Sequence, residues 1–201
     1  MVQLTPDQVR QSSANALKTV YYVIVGLAIA EALSRTFVKH GIFIGLQCFR
    51  RENLPCSLLL CTFLPTICRF VHGASLHLDA PSGKRFKPLI DFCAFLMQAS
   101  FFYLMALSLD KLTTFLLFFG LMLLSDAVWL IVLIAKKYID ELSAYANQWL
   151  LSDFCIILCL GLTYLISTKT EEVWPSLFIF LVSFLAAIGD YWKNKGLYFP
   201  E

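Results

Sequence analysis

The chain has 201 residues, of which 59% are hydrophobic and 15% are charged, and its mean hydropathy is +0.71. This composition leaves too little polar surface to cover a soluble globule of this size, so it indicates an integral membrane protein. The formal charge of +2, without any long basic run, argues against nucleic acid as a partner, because phosphate binding requires clustered Lys and Arg side chains.

Apolar runs of helix length predict an all-α, polytopic helical bundle that forms a single transmembrane domain over residues 1–201. The predicted spans cover residues 17–38, 55–78, 89–109, 112–135, 142–167 and 174–192. Thr5-Pro6-Asp7 marks the start of the first helix, with proline in its first turn. The first run also carries Glu31 and Arg35. It therefore either crosses the membrane or lies in the interface as an amphipathic helix, which leaves five spans.

The Lys and Arg residues that flank the predicted spans indicate how the chain is oriented. With six spans, both termini lie on one side of the bilayer together with nine Lys and Arg residues, whereas six lie on the opposite side. An excess of positive charge favours the cytoplasmic side. The sequence therefore predicts cytoplasmic termini in a plasma (inner) membrane, with the lipid bilayer as the principal partner.

Two aspartates occur within apolar runs, each at the end of a repeated tetrapeptide. Leu-Leu-Ser-Asp ends at Asp126 in the fourth predicted span and at Asp153 in the fifth. A charged turn at residues 136–141 lies between them, so the two runs are expected to form an antiparallel hairpin. At about 1.5 Å per residue, both carboxyl groups then lie roughly 15 to 18 Å below one surface, near the middle of a hydrocarbon core of about 30 Å.

Arg69 and Gln98, in the second and third predicted spans, are the available partners for these carboxyl groups. An ionised carboxylate costs about 2.5 to 3.5 kcal/mol at the centre of a spanning helix, so both aspartates should face protein or water. One interpretation is a wet pathway that binds or relays protons or cations, formed by Asp126, Asp153, Arg69, Gln98 and His72. The other is a structural network, in which Arg69 or Gln98 satisfies the carboxylates and fixes the helix register.

His72, His77 and Asp79 form a polar cluster at the end of the second predicted span. Because histidine titrates near neutral pH, the cluster predicts either a pH-responsive helix end or simple hydrogen bonding at the interface. On a continuous helix His77 points about 140° away from His72. The chain also contains no histidine pair of the metalloprotease type. The sequence therefore predicts no metal site and no other cofactor.

Three functional hypotheses follow. The favoured one is a homo-oligomeric ion or proton channel or transporter subunit that uses the intramembrane carboxyl groups, because one chain of five or six spans encloses little space. The second is a non-catalytic sensor, anchor or effector subunit that binds a soluble cytoplasmic partner. Its docking residues are the basic side chains of two loops, Lys84, Arg85, Lys87, Lys136 and Lys137.

The third hypothesis is an intramembrane enzyme that acts on a lipid-borne substrate, with Asp153 or His72 as general base. The sequence favours it least, because no nucleophile and base occur at a recognisable spacing. Asp91 and Asp190 lie near span ends and are predicted to be solvated or to cap helices.

Overall fold

The computed structural model describes residues 5–39, 42–79, 88–135 and 143–198. The predicted docking residues Lys84, Arg85, Lys87, Lys136 and Lys137 lie outside these ranges, so the docking site stays a prediction. Asp79 ends a helix, but its side chain also lies outside the described part of the structure.

Seven α-helices account for most of the described chain. They are α1 (Pro6–Phe37), α2 (Leu54–Asp79), α3 (Pro88–Leu107), α4 (Leu112–Ala135), α5 (Ser143–Ser167), α6 (Val173–Lys193) and the short α7 (Lys195–Tyr198). Between α1 and α2, strands β1 (Val38–Lys39) and β2 (Ile42–Phe43) pair antiparallel and precede a 3₁₀ helix (Gly45–Phe49). Helices α1 to α6 are each long and apolar enough to cross a membrane. The prediction of an all-α membrane bundle is therefore confirmed, and the first run is one of the six candidate spans.

Helix α1 begins earlier than the predicted span because Thr5 and Gln8 form a capping box. The backbone N–H of Gln8 donates to the Thr5 hydroxyl oxygen at 3.3 Å, and the backbone N–H of Thr5 donates to the Gln8 side-chain oxygen at 2.8 Å. These bonds satisfy N–H groups that have no partner within the helix. The polar first turns of α1 therefore extend beyond its apolar stretch, Gln11–Phe37.

Helices α1 to α6 form a closed ring in which each packs mainly against two neighbours. The order around the ring is α1, α3, α4, α5, α6, α2 and back to α1. Helices that follow one another in the chain run antiparallel, so the ring neighbours α1 and α3 are parallel, as are α2 and α6. For example, Thr36 near the end of α1 contacts Cys56 near the start of α2, and His77 near the end of α2 contacts Asp91 near the start of α3. One end of the bundle therefore contains the starts of α1, α3 and α5 and the ends of α2, α4 and α6. We call it the terminal end, and we call the other end of the bundle the opposite end.

Toward the opposite end, the interior of the ring is filled with apolar side chains. Large residues that are fully buried there include Phe63, Phe102, Met105, Phe115, Phe119 and Met122. Phe102 lies edge-on to Phe63 and Phe70, with ring centroids 6.3 and 5.8 Å apart, which is an arrangement that aromatic pairs favour. Among the described residues of this half, no Asp, Glu, Lys, Arg or His side chain is buried. Among the described residues, the buried charged groups therefore all lie toward the terminal end.

Candidate functional site

Arg69 of α2 lies at the centre of a buried ion-pair network. Its Nη2 is 3.2 Å from Oδ1 of Asp153 on α5, and its Nε is 3.3 Å from Oδ2 of Asp190 on α6. All three residues are buried, and Asp153 is completely inaccessible. The guanidinium group therefore ties three helices of the ring together, through a charged hydrogen bond to Asp153 and an ion pair with Asp190.

Asp126 of α4 lies beside Asp153, and their carboxyl groups are within hydrogen-bonding reach of one another. Asp126 also accepts a hydrogen bond from Nε2 of Gln98 on α3 at 2.5 Å. Asp126 precedes the end of α4 at Ala135 by nine residues, and Asp153 follows the start of α5 at Ser143 by ten. At about 1.5 Å per residue these separations are about 14 and 15 Å. The two carboxyl groups therefore lie at a common depth below the terminal end.

Asp190 is buried, so the prediction that it is solvated or caps a helix is wrong. The chain turns at Asn194 after α6, and α7 then returns over the carboxyl group. Oδ1 of Asp190 accepts from Trp149 Nε1 at 2.9 Å and from Asn194 Nδ2 at 2.5 Å, and Oδ2 accepts from the Tyr198 hydroxyl at 2.8 Å. Burial, and then the Asp190 carboxylate, raises the pKa of Tyr198, which therefore remains a neutral hydrogen-bond donor.

Asp91 is also buried, and the prediction that it is solvated is wrong for the same reason, since neighbouring helices cover the start of α3. Its Oδ1 accepts a hydrogen bond from Trp129 Nε1 of α4 at 3.2 Å and lies 3.4 Å from His77 Nε2 of α2. The rings of His77 and Trp129 also meet edge-on, with centroids 4.9 Å apart. This group joins three helices at a level between the Asp126–Asp153 pair and the terminal end.

The hydrogen bond from Trp129 to Asp91 can be tested by the substitution Trp129→Phe. We expect the free energy of unfolding to fall by about 1–3 kcal/mol, because the buried Asp91 carboxyl group loses a hydrogen-bond donor. Thermal unfolding in detergent measures the change. Trp192→Phe is the matched control, since Trp192 is 83% exposed. Equal melting temperatures for the two variants would show that the indole N–H of Trp129 contributes no stability.

His72 contacts a different part of the structure from His77. Its ring centroid lies 4.4 Å from that of Tyr198 and 5.7 Å from that of Tyr191. His72 therefore packs on the aromatic side chains beside Asp190, whereas His77 faces Asp91. A pH-responsive role for His72, His77 and Asp79 stays a prediction.

A cavity of about 30 Å³ lies between these polar groups. Its polar lining comes from Arg69, Gln98, Asp126, Trp129, Trp149 and Tyr198, and the rest of its wall is apolar, from Phe70, Gly73, Ala74, Phe95 and Leu130. A polar cavity of at least about 10–15 Å³ can hold a water molecule. The cavity can therefore hold water in contact with both the Arg69 guanidinium and the Asp126 carboxyl group.

Comparison of this chain with protein-family models, with curated proteins and with solved structures finds no match. The chemistry of the site is therefore the basis for a functional proposal. Within the described residues, no group of three or more His, Cys, Asp and Glu side chains is arranged to hold a metal ion. The principal chemical groups of the site are carboxyl, guanidinium, amide and indole groups around the cavity.

Proposed function

We propose that this integral membrane protein translocates protons or small cations, with Asp126 and Asp153 as the groups that bind them. The observation that carries the proposal is an imbalance of buried charge. One guanidinium group, Arg69, faces three carboxyl groups, those of Asp126, Asp153 and Asp190. Full ionisation would leave two uncompensated negative charges in the interior of the bundle.

Such an excess is costly in a medium that cannot solvate it. Two carboxyl groups that share one site do not both ionise readily, so the pair tends to bind a proton. Oδ2 of Asp153 is buried and has no hydrogen-bond partner among the described residues. A carboxylate is only an acceptor, so a hydrogen bond between Asp126 and Asp153 requires a proton on one of them. A proton or a cation held between them would reduce the charge excess.

Asp126 is the better candidate for the exchanging group. Asp153 and Asp190 both form ion pairs with Arg69, whereas the hydrogen bond to Asp126 comes from the uncharged amide of Gln98. Asp126 also lines the cavity, together with Gln98. Its carboxyl group can therefore gain or lose a proton without breaking an ion pair to Arg69.

Polar groups continue from the cavity toward the terminal end, while the opposite half contains the apolar side chains around Phe102. A binding site that ions reach from one end of the bundle alone is typical of a transporter or a gated pathway. A permanently open pore would need a polar route through both halves of the bundle. We therefore propose that passage requires a rearrangement of the Phe63 and Phe102 rings.

Homo-oligomerisation is a separate part of the proposal. The carboxyl groups meet inside one chain, so a symmetry axis is not needed to bring them together. An oligomer would instead place several complete sites side by side. The mass of the protein in lipid nanodiscs distinguishes a single chain from an oligomer.

Three further points stay predictions. They are a plasma-membrane location, cytoplasmic termini and docking of a soluble partner on the basic loops.

The proposal is tested by proton flux into liposomes that contain the purified protein. An imposed pH gradient drives the flux, valinomycin and equal K⁺ on both sides remove any charge build-up, and a trapped dye reports internal pH. We expect flux above that of protein-free liposomes, and the double variant D126N/D153N should reduce it to that background. Replacing Na⁺ by an impermeant organic cation separates proton from sodium translocation.

The matched control is Asp110→Asn. Asp110 lies in the exposed turn between α3 and α4, 3.8 Å from Arg35 and outside the network. Its variant should retain wild-type flux. Equal flux in wild type, D110N and D126N/D153N would overturn the proposal.

A further inference from the structure

A groove of about 440 Å³ lies between α5 and α6, next to the ion-pair network. Exposed side chains on its walls, such as Leu151, Cys155 and Leu185, show that it opens on the outer face of the bundle. Its volume falls within the range of about 300–1,000 Å³ that is common for ligand pockets. In a spanning bundle this face meets the bilayer, so the occupant is drawn from the lipid.

The chemistry of the groove changes along its length. Toward the middle of the bundle its walls are apolar, with Ile156 and Val182 among them. Toward the terminal end it is lined by Gln148, Lys193 and Asn194. An amphiphile with its tail toward the middle of the bilayer and its headgroup at the surface matches this order.

Two groups at the polar end define what kind of headgroup fits. Lys193 is exposed, and no acidic side chain among the described residues forms an ion pair with it. The amide oxygen of Asn194 is buried and has no hydrogen-bond partner among those residues. Asp190 also lines the groove, but both its oxygens already accept hydrogen bonds, from Trp149, Asn194 and Tyr198. A ligand that satisfies both groups therefore has an anionic group beside Lys193 and a hydrogen-bond donor beside the Asn194 amide oxygen.

We propose that this groove binds an anionic phospholipid whose headgroup carries hydroxyl groups. The phosphate pairs with Lys193, a headgroup hydroxyl donates to the Asn194 amide oxygen, and an acyl chain lies against Ile156 and Val182. Phosphatidylglycerol combines these features. Because Asp190 forms part of the wall, the bound lipid lies next to the ion-pair network that includes Arg69. The site does not depend on the proposed translocation.

Two substitutions test the headgroup and the tail separately. Lys193→Gln removes the cation, and the loss of one basic residue near a membrane surface corresponds to about five-fold weaker binding of an anionic lipid. Gly189→Leu fills the groove; a Cβ built on Gly189 has no other atom within 4 Å, so the backbone can accept the change. We expect Gly189→Leu to weaken binding of phosphatidylglycerol by at least as much.

Both variants have matched controls in the chain. Lys169 is an exposed lysine at the opposite end, so Lys169→Gln removes the same charge away from the groove. Gly26 of α1 is exposed and also has no atom within 4 Å of an added Cβ, so Gly26→Leu adds the same side chain elsewhere. Neither control should change lipid binding.

The experiment is native mass spectrometry of the purified full chain, titrated with phosphatidylglycerol, phosphatidic acid and phosphatidylcholine that carry identical acyl chains. We expect wild type to retain phosphatidylglycerol best, phosphatidic acid less well because it lacks the hydroxylated headgroup, and phosphatidylcholine least. Equal retention of phosphatidylglycerol and phosphatidylcholine would overturn the proposal. So would equal phosphatidylglycerol retention by Lys193→Gln and Lys169→Gln. If Gly189→Leu fails to fold, the lysine pair and the lipid series still decide the outcome.

Discussion

Arg69→Gln is expected to lower the free energy of unfolding by about 3–5 kcal/mol, which is typical when one partner of a buried ion pair is removed. The substitution leaves Asp153 and Asp190 buried without their cation. It also removes the ion pairs that hold α2 against α5 and α6. Thermal or denaturant unfolding in detergent, followed by tryptophan fluorescence, measures the loss.

Arg51→Gln is the matched control, because Arg51 is exposed and pairs with Glu171 on the surface at 2.9 Å. Exposed pairs of this kind contribute little, so we expect no measurable change. The triple variant R69Q/D153N/D190N should recover most of the stability, since neither position 153 nor position 190 then carries a buried charge without its cation. If Arg69→Gln and Arg51→Gln have the same free energy of unfolding, the buried ion pairs do not stabilise the fold.

Asp126→Asn is expected to reduce proton flux by about a hundredfold, the lower end of what a positioned proton-transfer group contributes. The same variant should be at least as stable as wild type. We expect its free energy of unfolding to rise by about 1–2 kcal/mol, as is common when a residue that serves function at the expense of stability is replaced. Asparagine has nearly the same shape, and its amide oxygen can still accept the hydrogen bond from Gln98. Its amide N–H can donate to the Asp153 carboxylate without a bound proton, and one ionisable group is removed from the interior.

The combination of the two measurements separates function from structure. If Asp126 only supports the fold, Asp126→Asn lowers stability and any flux is unaffected. If it binds the transported proton, flux falls while stability is kept. Loss of both would contradict the assignment of Asp126 as the exchanging group, and D110N again supplies the reference for flux and unfolding.

The elements of the fold follow from simple sequence signals. Apolar runs of about twenty residues predict spanning helices, and each predicted boundary after the first helix lies close to the observed one. The ten residues from Asp126 to Lys136 and the twelve from Glu141 to Asp153 also predict that the two carboxyl groups share a depth, because the rise per residue of a helix is fixed. Local periodicity is sufficient for these predictions.

The partners of those side chains could not be read from the sequence, because they depend on the order of the helices in the ring. Arg69 of α2 pairs with Asp153 on α5, which is not its neighbour in the ring, and with Asp190 on the neighbouring helix α6. The burial of Asp190 depends on the turn at Asn194, which returns Tyr198 to the carboxyl group. One signal was present: Ser176, Ser183 and Asp190 recur every seven residues, and all three are buried on one face of α6.

The apolar packing around Phe102 has a consequence for how such a protein would respond to voltage. A layer of low polarisability sustains most of the electric field across a membrane, whereas hydrated or polar regions sustain little. A full crossing is worth about 2.3 kcal/mol per elementary charge for each 100 mV. A proton that reaches Asp126 from the terminal end would cross only a small part of that drop. An applied potential should therefore alter the speed of passage toward the opposite end far more than the occupancy of the carboxyl pair.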